Sequence, residues 1–368
     1  MKFKRYFMED ALEDIIDYRG KTPHKATSGI QTLSAKSVKD GYIDYSNCYF
    51  ISLEEYNRFM VRGIPKTGDV LLTTEAPLGN VARLDKEDVA LAQRLLTLRG
   101  KQGVLDTGFL YYYLRSPIGQ AKLREKETGT TVTGIKQSEF RRIEIDIPSY
   151  AVQKKIVDIL CHLDQKIELN RKINKNLLEQ AQAIYTKRFI TDADSLWPEG
   201  KLSDLIEVCY GKDHKKLHDG DIPVYGSGGI MRHVDRALYE QESVLVPRKG
   251  TLNNVMYVDE PFWSVDTMFF TKMKRQNVAK FVFHFLKGKD LASMNAGSAV
   301  PSMTTKILNA IPLQIPDDQT LSTFEAQVSP FYQAASYNNK ESENLAAIRD
   351  SLLPKLMSGE IDVSNIDL

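Results

Sequence analysis

Two stretches of this chain, offset by 168 residues, carry the same spacing of side chains, and that spacing constrains everything else. Read by sevens, Ile156, Leu163, Asn170, Leu177 and Ile184 form one column, and Leu160, Ile167, Asn174 and Ala181 form a second, four residues on. Phe324, Phe331, Asn338, Leu345 and Leu352 repeat the first column at the constant offset; Val328, Ala335 and Ser342 repeat the second. Lys154, Lys155, Asp158, Lys166, Glu168, Arg171, Lys172 and Lys175 fall outside both columns, so the apolar stripe is narrow and the rest of the helix is solvated. A stripe recurring every 3.5 residues is a coiled-coil seam and needs a partner helix. Two such helices in one chain, with a domain between them, pair most simply antiparallel. Asn170 and Asn338, polar residues at matching places in the seam, are expected to fix its register. At 1.5 Å rise, residues 152–189 make a rod of about 57 Å. Pro330 falls inside the second stretch, so that helix is expected to be shortened or kinked there, with Ser329 placed to cap a new start.

The repeat extends beyond the helices. Leu12, Asp14, Ile15 and Ile16 match Leu202, Asp204, Leu205 and Ile206, followed by Gly20-Lys21 and Gly211-Lys212. Val70-Leu71 and Asn80-Val81 match Val244-Leu245 and Asn254-Val255, and FLYYYL at 109–114 matches FVFHFL at 281–286. Gly129 and Val132 match Gly297 and Val300, and Ile145-Asp146-Ile147-Pro148 matches Leu313-Gln314-Ile315-Pro316 just ahead of each helix. The chain therefore reads as two copies of one unit, a mixed domain and then a long helix. The expected segments are a first domain over 1–149, a first helix over 150–190, a polar linker and second domain over 191–316, a second helix over 317–357 and a tail over 358–368. Within each domain, β-rich runs at 69–74, 91–98 and 243–247 alternate with Gly and Pro turn signals, while 109–126 and 278–294 read as helices. The fold class is α+β, with an internal pseudo-twofold repeat.

The bulk properties narrow the setting. With 368 residues, 42% hydrophobic and 26% charged, the chain has material for more than one real core. Three scattered cysteines, Cys48, Cys161 and Cys209, form neither a disulfide framework nor a zinc motif and suit a reducing compartment. The start is too charged for a signal peptide, and no apolar run approaches a membrane span, so a cytoplasmic protein with no membrane partner is expected. A net charge of +1 means that any nucleic-acid role rests on local patches or on a partner.

Catalytic signatures are missing from the sequence. Gly20-Lys21-Thr22 mimics only the end of a phosphate-binding loop, since Ile15 stands where its first glycine belongs. No Asn/Asp-Pro-Pro-aromatic motif and no Gly-x-Gly-x-x-Gly occurs. His214 and His218 lie four apart in a Lys- and Asp-rich loop with no nearby cysteine and no Glu between them, so a solvated or DNA-facing pair is expected rather than a metal site. Neither a metal nor a cofactor is expected in this chain.

Antiparallel helices would relate the two domains by an inverted repeat, the symmetry that the strands of a duplex also have. The order of elements, with RGKTP (19–23), GDVLLTTEAPLGNVA (68–82), IPSYAVQKKIVDIL (147–160), LWPEGKLSDL (196–205), VYGSGGI (224–230) and LPKLMSGEIDV (353–363), resembles the specificity (S) subunit of type I restriction-modification systems over nearly the whole chain. The resemblance implies two target recognition domains on double-stranded DNA, each on one half of a bipartite asymmetric site, with the helices setting the gap. It also implies a non-catalytic subunit that docks two methyltransferase (M) subunits and, in the full complex, restriction (R) subunits. S-adenosylmethionine, ATP and Mg then belong to those partners. The chain departs from the pattern twice: its start lacks the Trp-Pro-Glu-Gly type of entry found before the second domain, and Pro330 interrupts the second helix.

Residues suited to DNA are basic or amide side chains on loops around the β-rich cores. In the first domain these are Arg19, Lys21, Lys36, Lys39, Arg62, Gln93 and Arg94; in the second, Lys212, Lys215, Lys216, Arg232, Arg248, Lys249, Asn253 and Lys306. Arg and Lys suit phosphate or guanine edges, and Gln and Asn suit adenine. The clusters at 212–216 and at Arg248-Lys249, ahead of Gly250, carry most weight. The aromatic runs at 111–113 and 281–285, at helical spacing, are expected in the core rather than stacked on bases. A rival reading is a scaffold whose paired domains bind other proteins, with the rod as spacer.

Overall fold

The computed structural model describes residues 1–129, 133–294 and 301–366. They divide into two compact units, Met1–Leu169 with Lys340–Leu368, and Asn170–Asn339. Two long helices, Tyr150–Thr186 and Asp318–Ser358, each contribute residues to both units.

The first unit holds strands β1 (Phe3–Phe7), β2 (Leu12–Asp17), β3 (Ile30–Leu33), β4 (Tyr49–Ile51), β5 (Val70–Thr74), β6 (Leu78–Arg83), β7 (Val89–Leu91), β8 (Leu95–Gly100) and β9 (Glu144–Pro148). β1 pairs with β9, a four-stranded sheet runs β2-β8-β5-β6, and a three-stranded sheet runs β4-β3-β7 with β3 and β7 parallel. The second unit holds β10 (Glu199–Lys201), β11 (Ile206–Tyr210), β12 (Ile222–Gly226), β13 (Gly229–Val234), β14 (Ser243–Pro247), β15 (Met256–Val258), β16 (Trp263–Ser264), β17 (Met268–Met273) and β18 (Pro312–Gln314). Here β10 pairs with β18, four strands run β11-β17-β14-β15, and three run β13-β12-β16 with β12 and β16 parallel. Strand order and direction are the same in both, so the repeat seen in the sequence is a repeat of topology.

Its register differs from the sequence match at one point. Met8 N donates to Ile143 O (2.8 Å) as Leu202 N does to Ile311 O (2.9 Å), and Lys101 N donates to Ala11 O as Lys274 N does to Leu205 O. Met8, not Leu12, is therefore the counterpart of Leu202. Met8-Glu9-Asp10-Ala11 and Leu12-Glu13-Asp14-Ile15 are near copies, so the pattern fits either place and only the hydrogen bonds decide. At the far ends of these strands Asp17 and Tyr210 stand on the same rung, opposite Leu96 and Phe269. Of the other matched residues, Val132, Gly297 and Val300 lie outside the described residues.

The central strand of each four-stranded sheet is buried on both faces, and its alternation splits it between two cores. Val70 and Leu72 pack with Phe109, Leu110 and Tyr112, while Leu71 packs with Leu33 and Val89. Val244 and Val246 pack with Phe281, Val282 and Phe285, while Leu245 packs with Val224 and Phe262. Both aromatic runs are core, as their helical spacing implied.

Three elements are shorter than the sequence suggested. The run at 109–126 is two helices, Thr107–Arg115 and Pro117–Glu125: Ser116, held extended (ψ 156°) ahead of proline, ends the first, and its hydroxyl accepts Gly119 N (3.1 Å) to cap the second. The run at 278–294 is helical only over Ala279–Lys287 and stops at Gly288. The strand at 91–98 is split, because Arg94 has a φ of 68°.

The second long helix is not shortened by Pro330. It runs unbroken over Asp318–Ser358, and Ser329, rather than capping a new start, donates its hydroxyl to Glu325 Oε1 (2.8 Å). Pro330 and Ala326 are both exposed, so the carbonyl that loses its helical donor faces water.

Within each unit the paired helical segments run antiparallel. In the first, Asp164 meets Arg349 (2.8 Å) and Lys166 meets Glu341 (3.1 Å). In the second, Asn170 Nδ2 donates to Asn338 O (3.3 Å), and Asn174 Nδ2 donates to Ala335 O (3.1 Å) and Asn339 Oδ1 (2.7 Å). Ile156, Leu160, Asn170, Asn174, Ala181, Phe324, Val328 and Ala335 are buried, whereas Leu163, Ile167, Leu177, Ile184, Phe331, Asn338, Leu345 and Leu352 are half-buried. The helix ends also pack on the globular cores, through Val152 and Leu356 in the first unit and Tyr185 and Tyr332 in the second. No helix among the described residues is long and apolar enough to cross a membrane.

Candidate nucleic-acid interface

Each globular part carries the same backbone frame where the two middle strands of its four-stranded sheet end. In the first, Thr74 N donates to Arg94 O (3.0 Å); in the second, Arg248 N donates to Thr267 O (2.8 Å). The next residue bridges to a returning segment, Glu75 to Gly134 and Lys249 to Ser302. The one after has a positive φ, 51° at Ala76 and 85° at Gly250. Identical frames thus present different chemistry.

In the first frame Arg94 Nε lies 2.7 Å from Glu75 Oε1, so its cation is paired. In the second, the Arg248 guanidinium lies 5.4 Å above the centroid of the Tyr210 ring, and Nη1 donates to Asp266 O (3.3 Å). Tyr210 closes β11, sits edge-on to Phe269 (5.1 Å) and is 52% exposed. Gly211 must follow it, because a Cβ there would come within 2.0 Å of Val265 O.

Several candidates from the sequence are engaged in holding loops. Arg62 Nη1 donates to Asp17 O and Arg19 O (both 3.0 Å), Arg19 Nη2 to Ile135 O (2.9 Å), and Gln93 Nε2 to Thr22 Oγ1. Arg232 Nη2 binds Leu217 O (3.0 Å) and Asp219 (2.8 Å). Asn253 donates to Asp290 (3.0 Å) and accepts Ala292 N (2.9 Å); its amide is the main reason that the Asp290 carboxyl lies below its usual range. These contacts shape the surface and leave fewer donors for a ligand. Lys21, Lys36, Lys212, Lys215, Lys216, Lys249 and Lys306 are exposed, and among the described residues none makes an ion pair within 4.0 Å; Lys39 is half-buried. His214 and His218 join no set of three or more metal-ligating side chains among the described residues.

Chemically, the second unit offers, among the described residues, exposed ammonium groups with no ion-pair partner and a guanidinium over a tyrosine ring; the first offers a carboxylate and guanidinium side by side. Tyr210 and Glu75 lie outside the set of cations and amides to which the sequence points. The available signal was an aromatic directly before Gly211-Lys212 and an acid on the same rung as Lys249.

One α+β topology occurring twice, each copy with its own antiparallel helical segments, defines a protein built from an internal repeat. The chain matches the family described as type I restriction modification DNA specificity domain over residues 9–179 and 194–342, and it belongs to that family. It is similar to the MjaIX specificity subunit of Methanocaldococcus jannaschii (24% identical, covering 83% of this chain and 80% of the relative). It is likewise similar to the HindI specificity subunit of Haemophilus influenzae (22% identical, covering 86% and 95%). Its fold is shared with the S subunit from M. genitalium, at a TM-score of 0.59 and 19% identity over 97% of this chain and 96% of that one.

Proposed function

We propose that this chain is the non-catalytic DNA-recognition subunit of a type I restriction-modification complex. Each globular part recognises one half of a bipartite, asymmetric double-stranded site, the paired helices set the gap, and the helices dock two methyltransferase subunits, with restriction subunits joining the full complex. S-adenosylmethionine, ATP and Mg act in those partners.

The observation that carries this reading is the duplicated frame with unlike side chains, Glu75 and Arg94 in one copy and Arg248 and Lys249 in the other. One topology used twice with different polar groups suits two different half-sites. Ile173 and Leu178 on the first long helix and Tyr337 on the second, all in the second unit, are apolar and exposed, which suits a helix pair that another protein covers.

The test is a chimera. Residues 201–310 are replaced by the matching part of a related subunit, and the complex reassembled with its methyltransferase subunits is assayed on a duplex library randomised at both half-sites and in the gap. One half-site should change and the other stay. A change in both halves, or no sequence preference by the parent complex, defeats the proposal.

A further inference from the structure

We propose that Arg248 reads a guanine in the half-site recognised by the second globular part, and that Tyr210, by supporting the guanidinium over its ring, positions it; this rests on the recognition role proposed above. The backbone at Arg248 is fixed from both sides, its N–H on Thr267 O (2.8 Å) and its carbonyl accepting Met303 N (2.9 Å). Its side chain lies over the Tyr210 ring, whose edge contact with Phe269 anchors it to the sheet. Among the described residues Asp266 O takes one of the five guanidinium N–H donors, leaving an edge free.

A planar fork with a preset orientation matches O6 and N7 of guanine, the pair of acceptors that one guanidinium can bridge in the major groove. A phosphate contact needs only a cation, and exposed Lys212, Lys215, Lys216 and Lys249 supply cations nearby in the sequence. A cation–π contact with an exposed tyrosine also restricts the rotamers that an arginine otherwise loses on binding. The corresponding rung of the first globular part lacks this device: Thr74 takes the place of Arg248, Asp17 that of Tyr210, and the nearby arginine, Arg94, is paired with Glu75.

The experiment uses the whole chain assembled with its methyltransferase subunits and reads methylation of a duplex library with both half-sites randomised, at several salt concentrations. Arg248→Ala should relax selectivity at one G·C pair of one half-site by about tenfold or more, with the other half-site unchanged. Arg248→Lys keeps the charge and should lose the same selectivity, since an ammonium cannot bridge O6 and N7. Tyr210→Phe should behave as the parent, and Tyr210→Leu should weaken discrimination at that same pair only. If Arg248→Lys retains the parent preference, or Arg248→Ala weakens all sequences equally and lowers the salt slope by about one, the contact is to phosphate and the proposal falls. Unchanged selectivity in Arg248→Ala overturns it equally. Melting curves establish that each variant folds, and Arg248→Lys carries the test should Arg248→Ala fail to. A parent complex with no sequence preference would instead overturn the recognition role itself.

Discussion

Tyr112 and His284 hold the same place in the two repeats, and each binds the same position of the long helix that follows its own globular part. The Tyr112 hydroxyl donates to Asp164 Oδ2 (2.7 Å), and 168 residues further on the Tyr332 hydroxyl meets His284 Nε2 (2.8 Å). Each contact has a third member from the other long helix: Arg349 Nη1 on Asp164 Oδ1 (2.8 Å) in the first unit, Gln182 Oε1 on His284 Nδ1 (2.8 Å) in the second. In both units a core aromatic helix is thus tied by polar contacts to both members of the helix pair.

Asp164→Ala should destabilise the first unit by about 2–4 kcal/mol, because it strands the Tyr112 hydroxyl and leaves the Arg349 side chain, 17% exposed, with Asp350 alone. Tyr112→Phe removes one hydroxyl and should cost about 1 kcal/mol. Denaturant unfolding monitored by circular dichroism distinguishes the two.

Burial pushes the His284 imidazole down to about 4 from 6.5. The unfolded chain takes up a proton near 6.5 and the folded chain only near 4, so the unfolded state binds more protons between them. Stability from this site is full above pH 6.5 and is lost as pH falls towards 4, by about 1.4 kcal/mol per pH unit and about 3 kcal/mol in all. Unfolding midpoints at pH 7, 6 and 5 should fall more steeply for the parent than for His284→Gln. Equal slopes would mean that the imidazole titrates normally.

Asn174 accepts Asn338 Nδ2 (2.8 Å) while donating to Ala335 O and Asn339 Oδ1. Asn174→Leu alone removes an acceptor from Asn338 and should cost about 1–3 kcal/mol. Asn174→Leu with Asn338→Leu should recover that stability or exceed the parent, at the expense of a single register. The readouts are melting temperature and the dispersion of amide resonances; a double variant less stable than the single one would rule out this account.

One heptad inserted in each long helix at facing points, after Asn174 and after Ala334, leaves the asparagine contacts together and keeps the seam. The added rise is about 10 Å, roughly 3 bp at 3.4 Å per step, so the preferred gap should lengthen while both half-sites stay the same. About a third of a duplex turn is added as well, so affinity should drop. Methylation of a gap-randomised library checks this, and an unchanged gap would show that the helices do not set it.

Much of this architecture is legible in the sequence, because heptad spacing and duplicated apolar runs report directly on burial. Ile156, Leu160, Phe324 and Val328 are buried, and FLYYYL and FVFHFL are core. What escaped is set by hydrogen bonds. The four-residue ambiguity around Leu12 arises because two adjacent tetrapeptides look alike, and Pro330 reads as a break because a sequence does not show that Ala326 and Pro330 both face solvent. The candidate interface was legible as charge only. Arg62 and Asn253 look like Arg248 in a sequence, yet their donors are occupied by loop carbonyls and by Asp290, whereas Tyr210 became visible only once β11 placed it under a guanidinium.

The rung shared by Glu75 and Lys249 separates what holds the protein up from what it presents. Its shape comes from main-chain bonds, Thr74 to Arg94 and Arg248 to Thr267, and from buried valines and leucines behind it. Opposite charges have been accommodated on it without disturbing strand order, and exchanges at such surface positions ordinarily move stability by no more than about 0.5 kcal/mol. If those outward side chains read the target as proposed, a lineage of such chains can drift from one target to another by changing a few of them, with no excursion through a poorly folded ancestor.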